Sequence, residues 1–137
     1  PVDALVAGFG TGGTITGIGE VLKAVNPQIK IYAAEPENAA ILSGGKIGHH
    51  VQQGIGDGLI PKIMNTGIVD DMILVSDKDA MNAARHLAKA EGLLCGVSSG
   101  TNVCASIRVA QKLGPGKTVV TILPDTGERY LSTELYE

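Results

Sequence analysis

The 137 residues are 44% hydrophobic and 18% charged, a balance that gives a folded globular chain able to bury one core and excludes an unstructured one. Eleven basic residues against fourteen acidic ones leave a net charge of −3 with no basic face, which argues against nucleic acid as a partner. There is no uninterrupted apolar run of about 18 residues and no charged start leading into an apolar stretch, so no membrane span or leader is expected and a cytoplasmic setting is the default.

After Pro1-Val2-Asp3 the chain enters an apolar strand over residues 4–8 almost at once, as though cut from something longer. Gly10-Thr11-Gly12-Gly13-Thr14 follows, and Ile15, Ile18, Leu22 and Val25 then recur at helical spacing until Asn26-Pro27 stops the helix. Gly17 and Gly19 inside it cost about 1 kcal/mol each against Ala unless another backbone comes near, so close packing is expected at both. Alternation from Ile29 to Ala34, running into Glu35-Pro36, gives a second strand and completes a β-α-β unit. From Ser43 to Pro61 glycines, His49-His50 and Gln52-Gln53 follow neither period, the mark of a long loop that carries function. Met72 to Val75 reads as a strand, and Ser76 to Asp79 forms a capping-box pattern before a helix that Gly92 closes. Leu93 to Val97 reads as a strand, Ser98-Ser99-Gly100 as a turn, Val103 to Leu113 as a helix and Thr118 to Leu123 as a last strand. The alternation predicts an α/β fold, a mostly parallel sheet with helices on both faces.

A strand that enters a glycine-rich turn and leaves as a helix gathers backbone N–H groups and the positive end of a helix dipole at one point. With two threonine hydroxyls added, Gly10 through Thr14 forms an anion cup suited to a phosphate group. Two ligands compete for it. Gly8-x-Gly10-x-x-Gly13, with Glu35 at the end of the next strand, also matches the dinucleotide fingerprint of an NAD(P)-binding oxidoreductase module. The other reading is a single phosphomonoester, with Ser98 at the carboxyl end of another predicted strand reaching the same ligand. Taken as a lone serine, Ser98 reads first as an ordinary helix N-cap.

Gly116-Lys117-Thr118 resembles part of a phosphate-binding Walker loop but precedes a strand and lacks the leading glycine, so it is set aside. His49 and His50 read as solvated loop residues rather than metal ligands, and no metal site is expected. Cys95 and Cys104 lack paired spacing and read as buried thiols. Asp125, Glu128 and Arg129 read as a salt-bridged turn as readily as part of a site.

Four segments in register, Gly10 to Thr14, Gln53-Gly54-Ile55-Gly56, Glu91-Gly92-Leu93 followed by Ser98-Ser99-Gly100, and Gly127-Glu128-Arg129-Tyr130-Leu131-Ser132-Thr133, resemble the cysteine synthase (O-acetylserine sulfhydrylase) family over essentially the whole chain. The resemblance implies fold type II of the pyridoxal 5′-phosphate enzymes, the tryptophan synthase β-like fold, with residues 1–137 as a single cofactor-binding domain, most of the larger, C-terminal domain of a two-domain enzyme. It implies the cofactor phosphate on Gly10, Thr11, Gly12, Gly13 and Thr14, the pyridine nitrogen on Ser98, and Gly54, Ile55 and Gly56 on the substrate side. Asp57 stands where the family often has a small residue. The implied reaction is β-replacement, O-acetylserine and sulfide giving cysteine and acetate. The family's Schiff-base lysine lies in an N-terminal half outside this chain, so no catalytic residue is assigned here and the chain alone is expected to be inactive. A homodimer and serine acetyltransferase as a docking partner are further implications, and a catalytically silent interaction domain is a third possible use of the same residues.

Overall fold

Ala4, Leu5, Val6 and Ala7 are all buried, because the strand they form, β1 (Ala4–Gly8), is covered on both faces. A computed structural model describes residues 1–137 and places β1 in a four-stranded, wholly parallel sheet. Its neighbours are β2 (Lys30–Pro36), β3 (Asp71–Val75) and β4 (Val119–Thr121), in the order β3-β2-β1-β4.

Side chains alternate between the two faces. Leu5, Ala7, Ile31 and Ala33 pack with Ile15 of helix α1 (Gly13–Val25) on one side. Ala4, Val6, Tyr32, Ala34 and Val75 meet Ala80 and Ala84 of α2 (Asp77–His86) and Ala105 and Val109 of α3 (Val97–Leu113) on the other. The sandwich of helix, sheet and helix is the one the alternation predicts. Helices α2 and α3 cross so closely that a Cβ on Gly100 would lie 1.9 Å from the Ala80 carbonyl oxygen. Close packing also accounts for Gly19, whose Cβ would stand 2.7 Å from Ile68 Cδ1. It does not account for Gly17, which is exposed with nothing within 4 Å.

Local signals set the helix limits. Asn26 ends α1, and Ser76 Oγ accepts the Asp79 N–H at 3.1 Å to begin α2. After His86 the helix widens into a π-helical turn, Leu87–Glu91, closed by Gly92 at φ +68°. Apart from two short 3₁₀ turns, Glu37–Ala39 and Thr66–Ile68, the chain between β2 and β3 is the long loop expected.

One predicted strand is absent. Leu93 to Val97 stays outside the sheet, with a single antiparallel bridge between Cys95 and Thr126. The Leu93 N–H goes back to Leu87 O at 3.1 Å, and the next residues are held by the C-terminal segment: Leu94 O accepts the Gly127 N–H at 3.1 Å, and the Tyr136 hydroxyl accepts the Cys95 N–H at 3.2 Å. With that end held, α3 begins at Val97, so Ser98, Ser99 and Gly100 form its first turn rather than a separate one. No helix is long and apolar enough to cross a membrane.

Candidate functional site

Parallel strands bring their carboxyl ends to one edge of the sheet, and the loops leaving that edge build the site. From Gly8 the chain runs through buried Phe9 into Gly10–Gly12 and then into α1. None of the backbone N–H groups from Gly10 through Thr14 meets a backbone acceptor; Gly13 alone has a partner, Thr11 Oγ1 at 3.4 Å. Open donors at a helix N-terminus form a ready anion site. The turn tolerates no side chains where it matters. Gly12 holds φ +83°, and a Cβ there would stand 2.6 Å from Met64 Cβ; one on Gly10 would stand 2.5 Å from the Gly54 carbonyl oxygen.

Gly10, Thr11, Thr14, Gly54, Ile55 and Ser98 line one cavity of about 600 Å³. Gly12, Gly13 and Gly56 do not line it; Gly12 and Gly56 hold positive φ in the turns beside it, and Gly13 begins α1. Ser98 is 4% exposed, and its hydroxyl forms no hydrogen bond within the chain. It does not cap α3, whose N-cap is Gly96 without a side-chain bond. Instead of standing at the end of a sheet strand, it reaches the cavity from the first turn of a helix. The cavity thus offers an anion cup on one wall and a neutral hydroxyl on another, with Arg129 as its one cationic side chain and no lysine.

The loop around Gly54 is held by residues the sequence reading left unassigned. Gln52 is fully buried: its amide nitrogen donates to Val75 O at 3.0 Å and Asp77 Oδ1 at 2.9 Å, and its Oε1 accepts the Thr101 hydroxyl at 2.7 Å. His50 is not the solvated residue expected. Its Nδ1 accepts the Gln52 N–H at 3.1 Å, which leaves the proton on Nε2, and Nε2 donates to Gly56 O at 2.9 Å. Ile55 is buried against Gly8, its methyl carbons 3.1 Å from where a Cβ on that glycine would be. Asn102, also lining the cavity, accepts the Gly8 N–H at 2.7 Å and donates to Ile122 O at 2.8 Å.

Asp125 makes no ion pair with Arg129; its carboxylate takes the Tyr130 hydroxyl, and its second oxygen is buried without a partner. Burial, reinforced by that carboxylate, pushes the Tyr130 phenol up to about 12, so it stays a neutral donor at the cavity wall. Of the cysteines, Cys95 is buried and Cys104 only half-buried; burial pushes both thiols up.

Glu35 weighs against the dinucleotide fingerprint. Its carboxylate is 1% exposed and turned away from the cavity, accepting the Leu42 N–H at 2.8 Å, the Ser43 N–H at 3.3 Å and the Ser43 hydroxyl at 2.8 Å. An acid used to hold its own loop is not free for a ribose, which removes the support for the dinucleotide alternative.

Residues 1–125 match the family model described as pyridoxal-phosphate dependent enzyme. The chain is 54% identical over 135 residues to a cysteine synthase of Staphylococcus aureus (strain Mu50 / ATCC 700699), covering 98% of this chain and 44% of that protein. Among solved structures it superposes on O-acetyl serine sulfhydrylase isoform 3 from Entamoeba histolytica with a TM-score of 0.95 at 45% identity, covering 98% of this chain and 41% of that one. The O-acetylserine dependent cystathionine beta-synthase from Helicobacter pylori gives 0.94 at 40% identity, over 99% and 44%. The chain therefore spans under half the length of the relatives it matches.

Proposed function

Since this chain belongs to the pyridoxal-phosphate dependent enzyme family, we propose that it is the cofactor-holding part of a cysteine synthase, making cysteine and acetate from O-acetylserine and sulfide. The observation that carries the reading is the shared cavity: Gly10, Thr11 and Thr14 of the turn, whose N–H groups have no partner, and the unpartnered Ser98 hydroxyl border one space, while Glu35 lies outside it.

Pyridoxal phosphate, when bound, supplies the electron sink that β-replacement on an amino acid requires. The residues present fit it. The cup's N–H groups, the positive end of α1 and the Thr11 and Thr14 hydroxyls would hold the phosphate. Ser98 would meet the ring nitrogen with a neutral hydroxyl, which does not fix a proton there as a carboxylate would; that moderates the sink and suits elimination over transamination. Gly54 and Ile55, seated by Gln52 and His50, would border the amino-acid side and keep water from it. The amine that joins the cofactor carbonyl would come from outside these residues, in the other domain of a two-domain enzyme. On the same reading the complete enzyme works in the cytoplasm as a homodimer, with serine acetyltransferase docking at the mouth of the site.

Titrating this chain with pyridoxal 5′-phosphate, and following the cofactor's absorbance, tests the proposal. Saturable binding that a Thr11→Ala, Ser98→Ala double variant loses is the expected result. No binding, with NAD bound in its place, would overturn it.

A further inference from the structure

Asn102 stands one helical turn beyond Ser98 on α3, only 2% exposed, and both line the cavity. Its side chain is bonded at both ends: Oδ1 accepts the Gly8 N–H at 2.7 Å, and Nδ2 donates to Ile122 O at 2.8 Å. Gly8 is the last residue of β1, two positions before the cup; Ile122 is the first residue after β4. One amide therefore ties the helix that carries Ser98 to the ends of two adjacent sheet strands. These are the places where β1 turns into the phosphate cup and β4 leaves for Asp125 and Tyr130. Ile55 and Asn102 Oδ1 both stand over Gly8, at 3.1 and 3.2 Å from where a Cβ on it would be, so that strand end is packed directly against Asn102.

We infer that Asn102 is a positioning residue that sets the separation between the phosphate cup and the Ser98 hydroxyl, so that the two grip opposite ends of one ligand. The inference rests on the reading of the cavity as a pyridoxal phosphate site. A ligand gripped at both ends depends on that separation; a free phosphate ion, held by the cup alone, does not. Removing the side chain leaves the Gly8 N–H and the Ile122 carbonyl without partners in a packed wall, and each shifts to find one.

The test compares two ligands on the wild-type chain and on Asn102→Ala, using amide shifts of the cup residues for inorganic phosphate and absorbance for pyridoxal 5′-phosphate. The variant should lose about tenfold or more in pyridoxal phosphate affinity while its phosphate affinity stays within about threefold. Equal losses for both ligands, or no loss for either, would overturn the inference. Failure of the wild-type chain to bind pyridoxal phosphate would instead overturn the site assignment beneath it. Should the variant not fold, the wild-type spectrum decides: saturation with pyridoxal phosphate should move the Asn102 side-chain amide pair and the Gly8 amide more than saturation with phosphate does. Equal movement would overturn the inference.

Discussion

The two edges of the parallel sheet differ in where polar groups are left open. At the edge where the strands begin, carboxylates and cations are paired: Asp3 with Lys117 at 3.0 Å, Asp70 with Lys23 at 2.8 Å and Lys30 at 3.4 Å, and Asp71 with Lys112 at 2.8 Å. The same carboxylates accept strand and loop N–H groups, from Thr118, Ile31 and Met72. At the edge where the strands end, the N–H groups of Gly10, Thr11, Gly12 and Thr14 and the Ser98 hydroxyl lack such partners, although Glu35, Gln52 and Asn102 nearby are fully bonded. Saturated polar groups hold a fold, whereas open ones wait for a ligand. The contrast locates function at one edge without reference to any relative.

The strongest way to break the contrast is Gly12→Ala. Its Cβ would have to displace Met64 and hold φ +83°, so binding of pyridoxal phosphate should vanish and urea denaturation should show a loss of about 2–3 kcal/mol. Asp70→Asn acts at the other edge and should cost about 1 kcal/mol while leaving the ligand's dissociation constant within about twofold. Burial pushes the Asp70 carboxyl up, but the Lys23 ammonium, the Ile31 N–H and Lys30 outweigh it and hold it below the ordinary 3.8. A folded-state value below the unfolded one means that this tie is fully present above the unfolded value and is lost as pH falls through the folded one. Stability measured from about pH 5 downward should therefore fall less steeply in Asp70→Asn than in the wild type. Gly17→Ala, on the open face of α1, should raise stability by about 0.5–1 kcal/mol with no change in ligand binding.

Parts that depend on near neighbours in sequence were legible without the structure. The cup needs only a strand, five small residues and a helix start in succession, and the Ser76 cap and the Gly92 stop act within one turn. Parts fixed by distant partners were not. The apolar run Leu93 to Val97 has strand character, yet Leu94 and Cys95 bond to the C-terminal segment instead of the sheet, which moves the start of α3 and the setting of Ser98. Gln52 and Asn102 look like ordinary polar residues until Thr101, Val75, Gly8 and Ile122 fold around them. The Glu35 carboxylate followed the fingerprint by position and departed from it by orientation, which no spacing records.

The most direct test of the contrast is a map of backbone amide shifts as the chain is saturated with pyridoxal 5′-phosphate. The account predicts the largest shifts at Gly10 through Thr14, Gly54, Ile55 and Ser98, with Asp3, Asp70 and Asp71 unmoved. Shifts centred on the strand-start edge, or on Glu35 and the loop it holds, would contradict it.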